Sequence, residues 1–414
     1  MINVKPLSAL FITYDGLLDP LGGSQILPYL QSIARHPRPL HIVSFEKPDR
    51  FSAGSELLRA QLIEAGIGWT PLSFTTRLGK LGKLWDLSRM YAACLRLQRL
   101  HKFGVIHCRS YQAMQVGALL NRLTGVLTIF DMRGLWVNER VDGGLWVQDR
   151  WLNRVAYHTY KRIEKRLLAS ASHVVALTER VVPELQRLSP GMTASVTVIP
   201  CCADFDHFAV PTDAARLAMR SELGIASGAL VLSYLGSLGT WYMLEEMLRL
   251  FAAAARKRDD VQLLFITRDW RDGHEALLNS MGLQALRHRI HVRSASRDQV
   301  PVLLGASDIM LSFIKPAYSK MASSPTKLAE GFALGIPVIS NAGVGDVDQI
   351  TRDLDAGAVI DLNDARAIDK LASELDSIRA KGGPGLRARA RERFGLEVAE
   401  AAYRQVYAAL ERAS

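Results

Sequence analysis

The chain has 414 residues, of which 49% are hydrophobic and 22% are charged. This composition excludes a disordered or fibrous protein, and the length predicts two domains of about 200 residues each. The positive charge lies in one half: residues 1–200 carry 25 Lys and Arg against 14 Asp and Glu, whereas residues 201–414 carry 26 against 27. We therefore expect the first half to meet an anionic partner.

Neither the cysteines nor the first residues indicate export. Cys94, Cys108, Cys201 and Cys202 lack the spacing of a metal site, which predicts reduced thiols in a cytoplasmic protein. The apolar run in MINVKPLSALFITYDG is too short for a signal peptide, and we interpret it as the first strand. Because no 18 apolar residues follow one another without interruption, we expect no membrane-spanning helix.

Short apolar runs that end in Gly, Ser, Thr or Asp alternate with helical patterns throughout the chain. This alternation is typical of βαβ units, and it predicts an α/β protein with two Rossmann-like parallel sheets. The predicted strands of the first sheet are 9–13, 41–44, 105–108, 127–131, 174–177 and 196–199. Those of the second sheet are 230–235, 262–267, 290–292, 309–311 and 338–341.

The stretch IPCCADFDHFAVPTD, residues 199–213, interrupts this alternation with two prolines. We place the domain boundary there, which gives an N-terminal domain of residues 1–200 and a C-terminal domain of residues 201–395. A flexible AKGGPG stretch at 380–385 precedes a last helix, predicted at 397–412. We expect this final segment, residues 396–414, to pack back on one of the domains.

The first strand leads into TYDGLLDPLGGSQILPYL. Gly22 and Gly23 are predicted to lie between this strand and a helix that begins near Ser24. Glycines there let backbone N–H groups approach a ligand, and a helix start attracts negative charge. The alternative is that they are ordinary glycines before a helix.

Polar side chains follow the strands of the first sheet at their carboxyl ends, where open parallel sheets bind ligands. A crowd of acids, arginines and aromatic rings is costly to bury and suited to gripping a polar substrate, although an Asp-x-Arg pair can also simply anchor a loop. The residues concerned are Tyr14, Asp15, Arg109, Asp131, Arg133 and Trp136.

The second half has a similar loop, LSYLGSLGTWYMLEEML, in which Gly236 and Ser237 end a strand and a helix is predicted to begin near Tyr242. This helix start is a second place that suits an anion. Arg268 closes the next predicted strand, where it either contacts a phosphate or is an ordinary surface arginine.

The segment SSPTKLAEGFALGIPVIS, residues 323–340, predicts a helix of about ten residues. Ser324 is the expected cap, with Thr326 and Lys327 in the first turn. Lys327 suits a pyrophosphate, and the carboxylate of Glu330, on the same face, suits a ribose diol. The alternative is an ion pair between Lys327 and Glu330, which would stabilise the helix by only about 0.2–0.5 kcal/mol.

The stretch TRLGKLGKLWDLSRMYAACLRLQRLHK, residues 76–102, predicts a basic amphipathic helix. Its apolar stripe is predicted to contain Leu84, Leu87, Tyr91, Cys94 and Leu95. The cations that would rest on an anionic membrane are Lys80, Lys83, Arg89, Arg96 and Arg99; alternatively, they are merely solvated. Nucleic acid is not expected, because no aromatic residues for base stacking are interleaved with these charges.

Several of these motifs together resemble the GT-B glycosyltransferases of family 4. Residues 323–340 resemble the donor-nucleotide segment of that family, in which a glutamate at the position of Glu330 holds the ribose. The resemblance extends to FITYDGLLDPLGGSQILPYL, VSFEKP, DMRGLW, VIPCCADFDHF and YLGSLGTWYMLEEML. It implies two Rossmann-like domains that face a central cleft.

The resemblance also implies an activity. A sugar would be transferred, with retention of configuration, from a UDP- or GDP-sugar to a saccharide or lipid-linked acceptor on the N-terminal domain. Such enzymes serve bacterial cell-surface polysaccharide or glycolipid synthesis, which implies a cytoplasmic protein, peripheral on the inner face of the membrane. By this resemblance Asp131, Arg133 and Glu330 would serve the reaction, with Gly22 and Gly23 closing over the phosphates.

The sequence departs from the family pattern in two places. Ala322 stands where a second glutamate is expected, and the loop after the first strand of the C-terminal domain lacks the usual Arg and Lys. We expect Lys327, Arg268 and the hydroxyls of Ser323 and Ser324 to replace those cations.

Three Asp-x-Asp triplets, which begin at Asp204, Asp346 and Asp353, raise the possibility of a bound metal. We expect none, because these triplets do not follow strands of the first sheet. Two other functions stay open. One is that of an epimerase of nucleotide sugars, and the other is that of a GT-B scaffold without catalytic activity.

Overall fold

The computed structural model describes residues 6–34, 38–75, 79–364 and 366–413, and it describes residues 79–81 and 413 by their backbone alone. The chain divides into two compact units. One combines Met1–Pro200 with Leu396–Ser414, and the other is Cys201–Gly395. Each unit contains a parallel β-sheet with helices, which confirms the prediction of two Rossmann-like domains.

The strands of the N-terminal unit are β1 (Ala9–Thr13), β2 (Leu40–Glu46), β3 (Ile67–Ser73), β4 (Val105–Arg109), β5 (Leu127–Asp131), β6 (His173–Ala176) and β7 (Ser195–Val198). Over the described residues they form one sheet in the order β3-β2-β1-β4-β5-β6-β7, in which all neighbours are parallel. Parallel strands are buried on both faces, which explains why their sequences read as nearly continuous apolar runs.

The helices of this unit are α1 (Pro20–Gln25), α2 (Leu27–Ala34), α3 (Pro48–Glu64), α4 (Gly79–His101), α5 (Ser110–Thr124), α6 (Trp136–Asp142), α7 (Trp151–Ser170) and α8 (Val182–Leu188). A short 3-10 turn at Glu179–Val181 precedes α8. Because each βαβ crossover returns the chain to the amino edge of the sheet, α4, α5 and α7 all begin near the carboxyl edge.

The C-terminal unit contains β8 (Leu230–Leu235), β9 (Val261–Ile266), β10 (Ile290–Arg293), β11 (Ile309–Ser312), β12 (Val338–Asn341) and β13 (Gly357–Ile360). Among its described residues these strands form a parallel sheet in the order β10-β9-β8-β11-β12-β13. Its helices are α9 (Asp213–Glu222), α10 (Leu244–Ala255), α11 (Asp272–Ser280), α12 (Val300–Gly305), α13 (Thr326–Ala333), α14 (Val347–Asp353), α15 (Ala367–Ser373), α16 (Leu375–Arg379) and α17 (Pro384–Phe394). Further 3-10 turns span Gln284–Arg289, Arg297–Gln299 and Tyr318–Ala322.

The last helix, α18 (Leu396–Ala413), belongs to the N-terminal unit and packs on α2. Glu411 accepts a hydrogen bond from the N–H of Leu7 and forms an ion pair with Arg38. Tyr403, Tyr407 and Leu410 are buried on the inner side of the helix. The N-terminal unit is therefore built from two separate stretches of sequence.

The prediction missed β3 and β13, which are edge strands. In β3, Pro71 lacks the N–H that a central strand would need, and an edge position tolerates this loss. In β13, Gly357 has φ +135°, and a Cβ there would lie 2.0 Å from the carbonyl oxygen of Val338. Because Pro71 and Gly357 are unfavourable in strands, the sequence did not indicate β3 and β13, whose pairing depends on the rest of their sheets.

Candidate active site

Helix α13 follows β11 through a 3-10 turn and begins at the carboxyl edge of the second sheet. It spans eight residues, and the expected cap is wrong. Pro325, rather than Ser324, occupies the N-cap position. The hydroxyl of Ser324 instead accepts a hydrogen bond from the N–H of Cys201, at 3.0 Å. The residues that hold α13 in the core are Leu328, Ala329, Phe332 and Ala333.

Lys327 projects from the first turn of α13 into an aromatic pocket. Its side-chain amine, Nζ, donates a hydrogen bond to the hydroxyl of Tyr234, at 2.9 Å, and lies 4.0 Å from the ring centroids of both Tyr234 and Tyr242. Aromatic faces attract a cation, but only 8% of Lys327 is exposed. Burial lowers the pKa of Lys327 to about 7, although Glu330 opposes this change.

The loop of residues 236–243, between β8 and α10, surrounds this amine. Gly236 has φ +120°, and a Cβ at this position would lie 3.4 Å from Nζ of Lys327. Glycine therefore provides both the backbone conformation and room for the lysine. The helix after the loop begins at Leu244 rather than near Tyr242, because Tyr242 bridges to Ile314.

Glu330 lies one turn beyond Lys327 and is half-buried. Its carboxylate makes no hydrogen bond and no ion pair with any residue that the structure describes, so the ion pair with Lys327 considered from the sequence does not form. Burial raises the pKa of Glu330, and the positive charges of Arg297 and Lys327 oppose this increase. The acid is thus held near two cations without being bonded to either.

A second lysine near the same loop was not predicted. Lys320 lies in the 3-10 turn before α13, is 7% exposed, and places its Nζ 3.7 Å from the ring centroid of Trp241. The loop that lacks cations therefore supplies aromatic rings, Trp241 and Tyr242, against which Lys320 and Lys327 pack. The two lysines are distant in sequence from the aromatic stretch YLGSLGTWYM, so no local pattern indicates this arrangement.

The other residues predicted for the donor side are more exposed. The guanidinium of Arg268 donates to the carbonyl of Ala295 at 3.0 Å, so it is engaged by the strand-end loop of β10. Ser237 is exposed, and its carbonyl accepts from the hydroxyl of Tyr234. Thr326 opens α13 and is half-buried. Ala322, at the position where the family pattern has an acid, is 2% exposed.

In the N-terminal unit, the predicted glycine loop is wrong. Gly22, Gly23 and Ser24 lie inside the six-residue helix α1 instead of before a helix. A Cβ on Gly22 would come within 2.3 Å of the carbonyl oxygen of Gly16, so close packing within the chain explains this glycine. The hydroxyl of Ser24 donates to the carbonyl of Pro20.

A buried charged cluster stands at the carboxyl ends of β4 and β5. Asp131, 1% exposed, accepts a hydrogen bond from the hydroxyl of Tyr403 on α18, at 3.1 Å. Nitrogen atoms of Arg109, Arg133 and His107 each lie 3.7 Å from its carboxylate oxygens. We call these five residues the Asp131 cluster.

Electrostatics keep Asp131 ionised. Burial would raise its pKa, but Arg133, His107 and Arg109 together lower it to about 2. Burial and Arg133 lower the pKa of Arg109, whereas the neighbouring acids oppose this effect. Asp131 is consequently a counterion and an orienting group for two arginines, and in this conformation it is too enclosed to touch a substrate.

His107 and Tyr403 were not predicted from the sequence. His107 is inside β4, so it is not at a strand end, and its Nδ1 lies 2.9 Å from the hydroxyl of Tyr407. Tyr403 follows Asp131 by 272 residues. Only the return of α18 to the first unit brings these rings to the strand ends, and no local pattern indicates that contact.

The remaining predicted residues of this edge have defined contacts. The hydroxyl of Tyr14 donates to Asp86 of α4 at 3.1 Å, and burial raises the pKa of Tyr14. Asp15 has a side chain that is 44% exposed, 3.7 Å from Arg109. Trp136 packs between the rings of Tyr111 and Tyr160, with the guanidinium of Arg140 at 4.8 Å.

The predicted basic helix is α4, described from Gly79 onward, and the side chain of Lys80 lies outside the described part. Lys83, Arg96 and Arg99 are exposed. Arg89 instead donates to the carbonyl of Ser73 at 3.0 Å and lies 3.4 Å from Asp86, so it anchors the helix.

The predicted apolar stripe of α4 is wrong in part, because Leu84 is 65% exposed. Among residues 82–101 of α4, the buried positions are Gly82, Asp86, Met90, Cys94 and Gln98. The two polar ones are tolerated because Asp86 accepts from Thr75 and Gln98 donates to the carbonyl of Phe103.

The Asp-x-Asp triplets have other partners. Asp204 accepts hydrogen bonds from the N–H groups of Asp206 and His207, and Asp353 pairs with Arg393. Over the residues with described side chains, no group of three His, Cys, Asp or Glu side chains is arranged to hold a metal ion. Within the same residues, no helix is both long and apolar enough to cross a membrane.

Comparisons with known folds agree with this architecture. Sucrose-phosphate synthase from Thermosynechococcus elongatus superposes with a TM-score of 0.73 over 99% of this chain and 100% of its own, at 16% identity. HepE of Anabaena, solved with UDP and glucose, gives 0.65 over 97% and 99%, at 16% identity. WaaG, a glycosyltransferase involved in lipopolysaccharide biosynthesis, gives 0.61 over 98% of both chains, also at 16% identity.

At that level of identity these structures establish the fold alone, and no curated protein sequence matches the chain. The family is established from sequence profiles. Residues 34–202 match the glycosyl transferase 4-like domain, and residues 216–393 match the glycosyl transferases group 1. The chain therefore belongs to the group 1 glycosyltransferases and is a transferase of the GT-B fold.

Proposed function

We propose that the protein transfers a sugar, with retention of configuration, from a nucleotide sugar to a saccharide or lipid-linked acceptor. The C-terminal unit would bind the donor and the N-terminal unit the acceptor. One observation carries the donor assignment: Glu330 is a half-buried carboxylate, close to two cations, that has no hydrogen-bond partner among the described residues. A half-buried carboxylate that accepts no hydrogen bond from the described residues is available to the donors of a ligand.

A ribose diol would complete the site at Glu330. Its two hydroxyls donate hydrogen bonds that both carboxylate oxygens can accept. The opposing effects of Arg297 and Lys327 favour the ionised carboxylate, which is the form that accepts two bonds. The structure of HepE with UDP-glucose supports a UDP-sugar as the first donor to test, with GDP-sugars as the other class.

The donor diphosphate would lie against Lys327 and the start of α13. Lys327 is held beside Gly236, and backbone N–H groups at a helix start add positive potential there. Ser237, Ser324, Thr326 and Arg268 would complete its polar surroundings, and Lys320 would add positive charge from the far side of Trp241. These groups would stabilise the charge on the departing diphosphate without a metal ion.

The Asp131 cluster would orient the acceptor. Asp131 fixes Arg109 and Arg133, whose guanidinium groups are suited to polar or anionic sugar groups. Nε of Arg109 lies 3.7 Å from the more exposed carboxylate of Asp15, which would connect the cluster to an acceptor. Tyr14, Asp15 and Trp136 would extend this surface. Gly22 and Gly23 follow Tyr14 closely in the sequence.

In the cell, we expect the enzyme to act in surface polysaccharide or glycolipid synthesis, from the cytoplasmic side of the membrane. The excess positive charge of residues 1–200 supports an anionic surface as a partner. Of the cations of α4 that the sequence indicated for such a contact, Lys83, Arg96 and Arg99 are exposed.

Two alternatives compete with this proposal. An enzymatically inactive scaffold is favoured by buried Ala322, where the family has an acid, and by the missing loop cations. An epimerase that acts on the donor alone would also use the Glu330 site. The basic N-terminal unit argues against the epimerase, since a donor-only enzyme needs no acceptor surface.

A panel of UDP- and GDP-sugars, with purified protein, tests these proposals. We expect one donor to raise the melting temperature by mass action and then to be hydrolysed slowly to free sugar. Formation of the 2-epimer would instead indicate the epimerase, and absence of binding to any nucleotide would indicate the scaffold.

A further inference from the structure

Five large apolar side chains are exposed in the turn after α6 and the first turns of α7. They are Leu145, Val147, Trp151, Leu152 and Val155, with exposed fractions between 47% and 64%. We call this group the α7 surface. Such side chains are common singly on protein surfaces, but five of them between residues 145 and 155 indicate a binding surface.

The backbone beneath the α7 surface is held firmly. Trp146 packs on Trp136 and Tyr160, with ring centroids 5.8 and 5.5 Å apart. The side-chain amide of Asn153 donates to the carbonyl of Val147 at 3.0 Å. The apolar side chains are therefore presented to solvent by an ordered turn.

The charges around the α7 surface are mostly positive. Arg150 and Arg154 are exposed and form no ion pair with any described residue. Farther along the helix, Arg162, Lys165 and Arg166 are also exposed. The acids of the same stretch are Asp149, which is exposed, and Glu164, which is buried against Tyr111 and Lys161.

The position of this surface follows from helix length. The 20 residues of α7 span about 30 Å, whereas the five residues of β5 span about 17 Å. Because α7 ends just before β6, the excess length places its start beyond the carboxyl edge of the sheet. That edge also carries the Asp131 cluster.

Helix α4 begins at the same edge and has a similar start. Lys83 is exposed there beside Leu84 and Trp85, which are 65% and 55% exposed. Helix α5 packs against both α4 and α7, so the two starts lie on one side of the sheet. Cations, aliphatic side chains and a tryptophan thus occur together at both helix starts.

We propose that the starts of α4 and α7 bind an anionic lipid bilayer. Trp151, Leu152, Val155 and Trp85 enter the interfacial region, where tryptophan is favoured, while Arg150, Arg154 and Lys83 contact lipid phosphates. This assignment replaces the flank of α4 that carries Arg96 and Arg99. It deepens the proposed function, on which it rests only for the idea that a lipid-linked acceptor is nearby.

Charge decides between a bilayer and a second copy of the chain. In a symmetric dimer, the same surface from both subunits would meet, and like charges from Arg150 and Arg154 would oppose each other. An anionic bilayer instead neutralises them. We therefore expect the intact protein to float with phosphatidylcholine vesicles that contain phosphatidylglycerol, and not with phosphatidylcholine alone.

Two variants test the assignment by vesicle flotation. The triple variant Trp151→Ser, Leu152→Ser, Val155→Ser should weaken binding at least about tenfold, because the interfacial apolar contacts are lost. The double variant Arg150→Glu, Arg154→Glu should weaken it by about a hundredfold, because two positive charges near the surface become negative. Each variant should keep the far-ultraviolet circular dichroism of the parent.

The chain offers matched controls. Leu57→Ser with Ile63→Ser removes equally exposed apolar side chains from α3, and Arg96→Glu with Arg99→Glu reverses the flank of α4. Both should bind vesicles like the parent. Parental binding by the two α7 variants would overturn the proposal, and so would a change from dimer to monomer in light scattering without loss of vesicle binding. Nucleotide-sugar binding, followed by melting temperature in the same variants, reports separately on the proposed function.

Discussion

The two units treat buried charge in opposite ways. In the Asp131 cluster, an acid accepts a hydrogen bond from Tyr403 and lies 3.7 Å from nitrogen atoms of Arg109, Arg133 and His107, so groups of the same unit surround its charge. Beside α13, Lys327 bonds to a tyrosine and Glu330 has no described partner. A carboxylate surrounded by cations of its own unit acts as a counterion, whereas a half-buried carboxylate that bonds to no described residue is open to a ligand.

The largest expected effect is in the N-terminal unit. Asp131→Asn removes a buried carboxylate that lies 3.7 Å from both Arg109 and Arg133, and it should lower the free energy of unfolding by about 3–5 kcal/mol. Urea denaturation measures this change in the free energy of unfolding.

Because the pKa of Asp131 is lowered to about 2, the contribution of Asp131 to stability is present above pH 3.8 and is lost as the pH falls towards 2. The matched variant Asp15→Asn, at an exposed acid, should change stability by less than about 1 kcal/mol. Equal effects of the two would contradict the counterion role.

The second largest effect is expected from the loss of Lys327, the buried lysine beside Tyr234 and Tyr242. Lys327→Met should weaken binding of a nucleoside diphosphate by about 2–4 kcal/mol, since a hydrogen-bonded buried cation is removed from an anion site. Isothermal calorimetry measures this, with Lys315→Met, an exposed lysine of the same unit, as the control.

The pH dependence sharpens the same test. Free Lys327 loses its proton above about pH 7, so the parent should bind the diphosphate more weakly as the pH rises above 7. The Lys327→Met variant should lack this decline. A parental affinity that is constant from pH 6 to pH 9 would show that Lys327 does not meet the phosphates.

Glu330→Ala should weaken nucleotide-sugar binding by roughly 1–3 kcal/mol, the range for a lost charged hydrogen bond. Since Glu330 bonds to no described residue, the unfolding free energy should change little or increase. Calorimetry and urea denaturation on the same sample separate the two. An unchanged affinity would remove the ribose from the proposal.

The smallest expected effect is that of Tyr403→Phe, which removes one hydrogen bond to Asp131. We expect a loss of about 1 kcal/mol in the free energy of unfolding. Tyr14→Phe, which removes a Tyr–Asp bond of the same 3.1 Å length, is the control of equal chemistry. If donor binding falls as well in Tyr403→Phe, the two units communicate, and the separation drawn above fails.

The sequence predicted much of the fold because buried parallel strands are apolar runs. Five of the six strands of the second sheet and six of the seven of the first correspond to such runs, and those missed carry Pro71 or Gly357 at an edge. Boundaries of helices were less predictable. At α13, Ser324 has the side chain of a cap, but the tertiary bond to Cys201 occupies it.

The contacts of the charged residues were less predictable than their positions. Strand ends correctly indicated Arg109 and Asp131 as neighbours, because the carboxyl ends of adjacent parallel strands meet. His107 and Tyr403 were missed, since one lies inside a strand and the other on a helix that returns from the far end of the chain. The aromatic contacts of Lys320 and Lys327 likewise depend on tertiary packing alone.

The return of α18 has a consequence for synthesis of the chain. Residues 201–395 form a continuous unit, which can fold as soon as it leaves the ribosome. The N-terminal unit must wait for Tyr403, Tyr407 and Glu411, which are translated only after the whole C-terminal unit. The domain that begins first is therefore completed second.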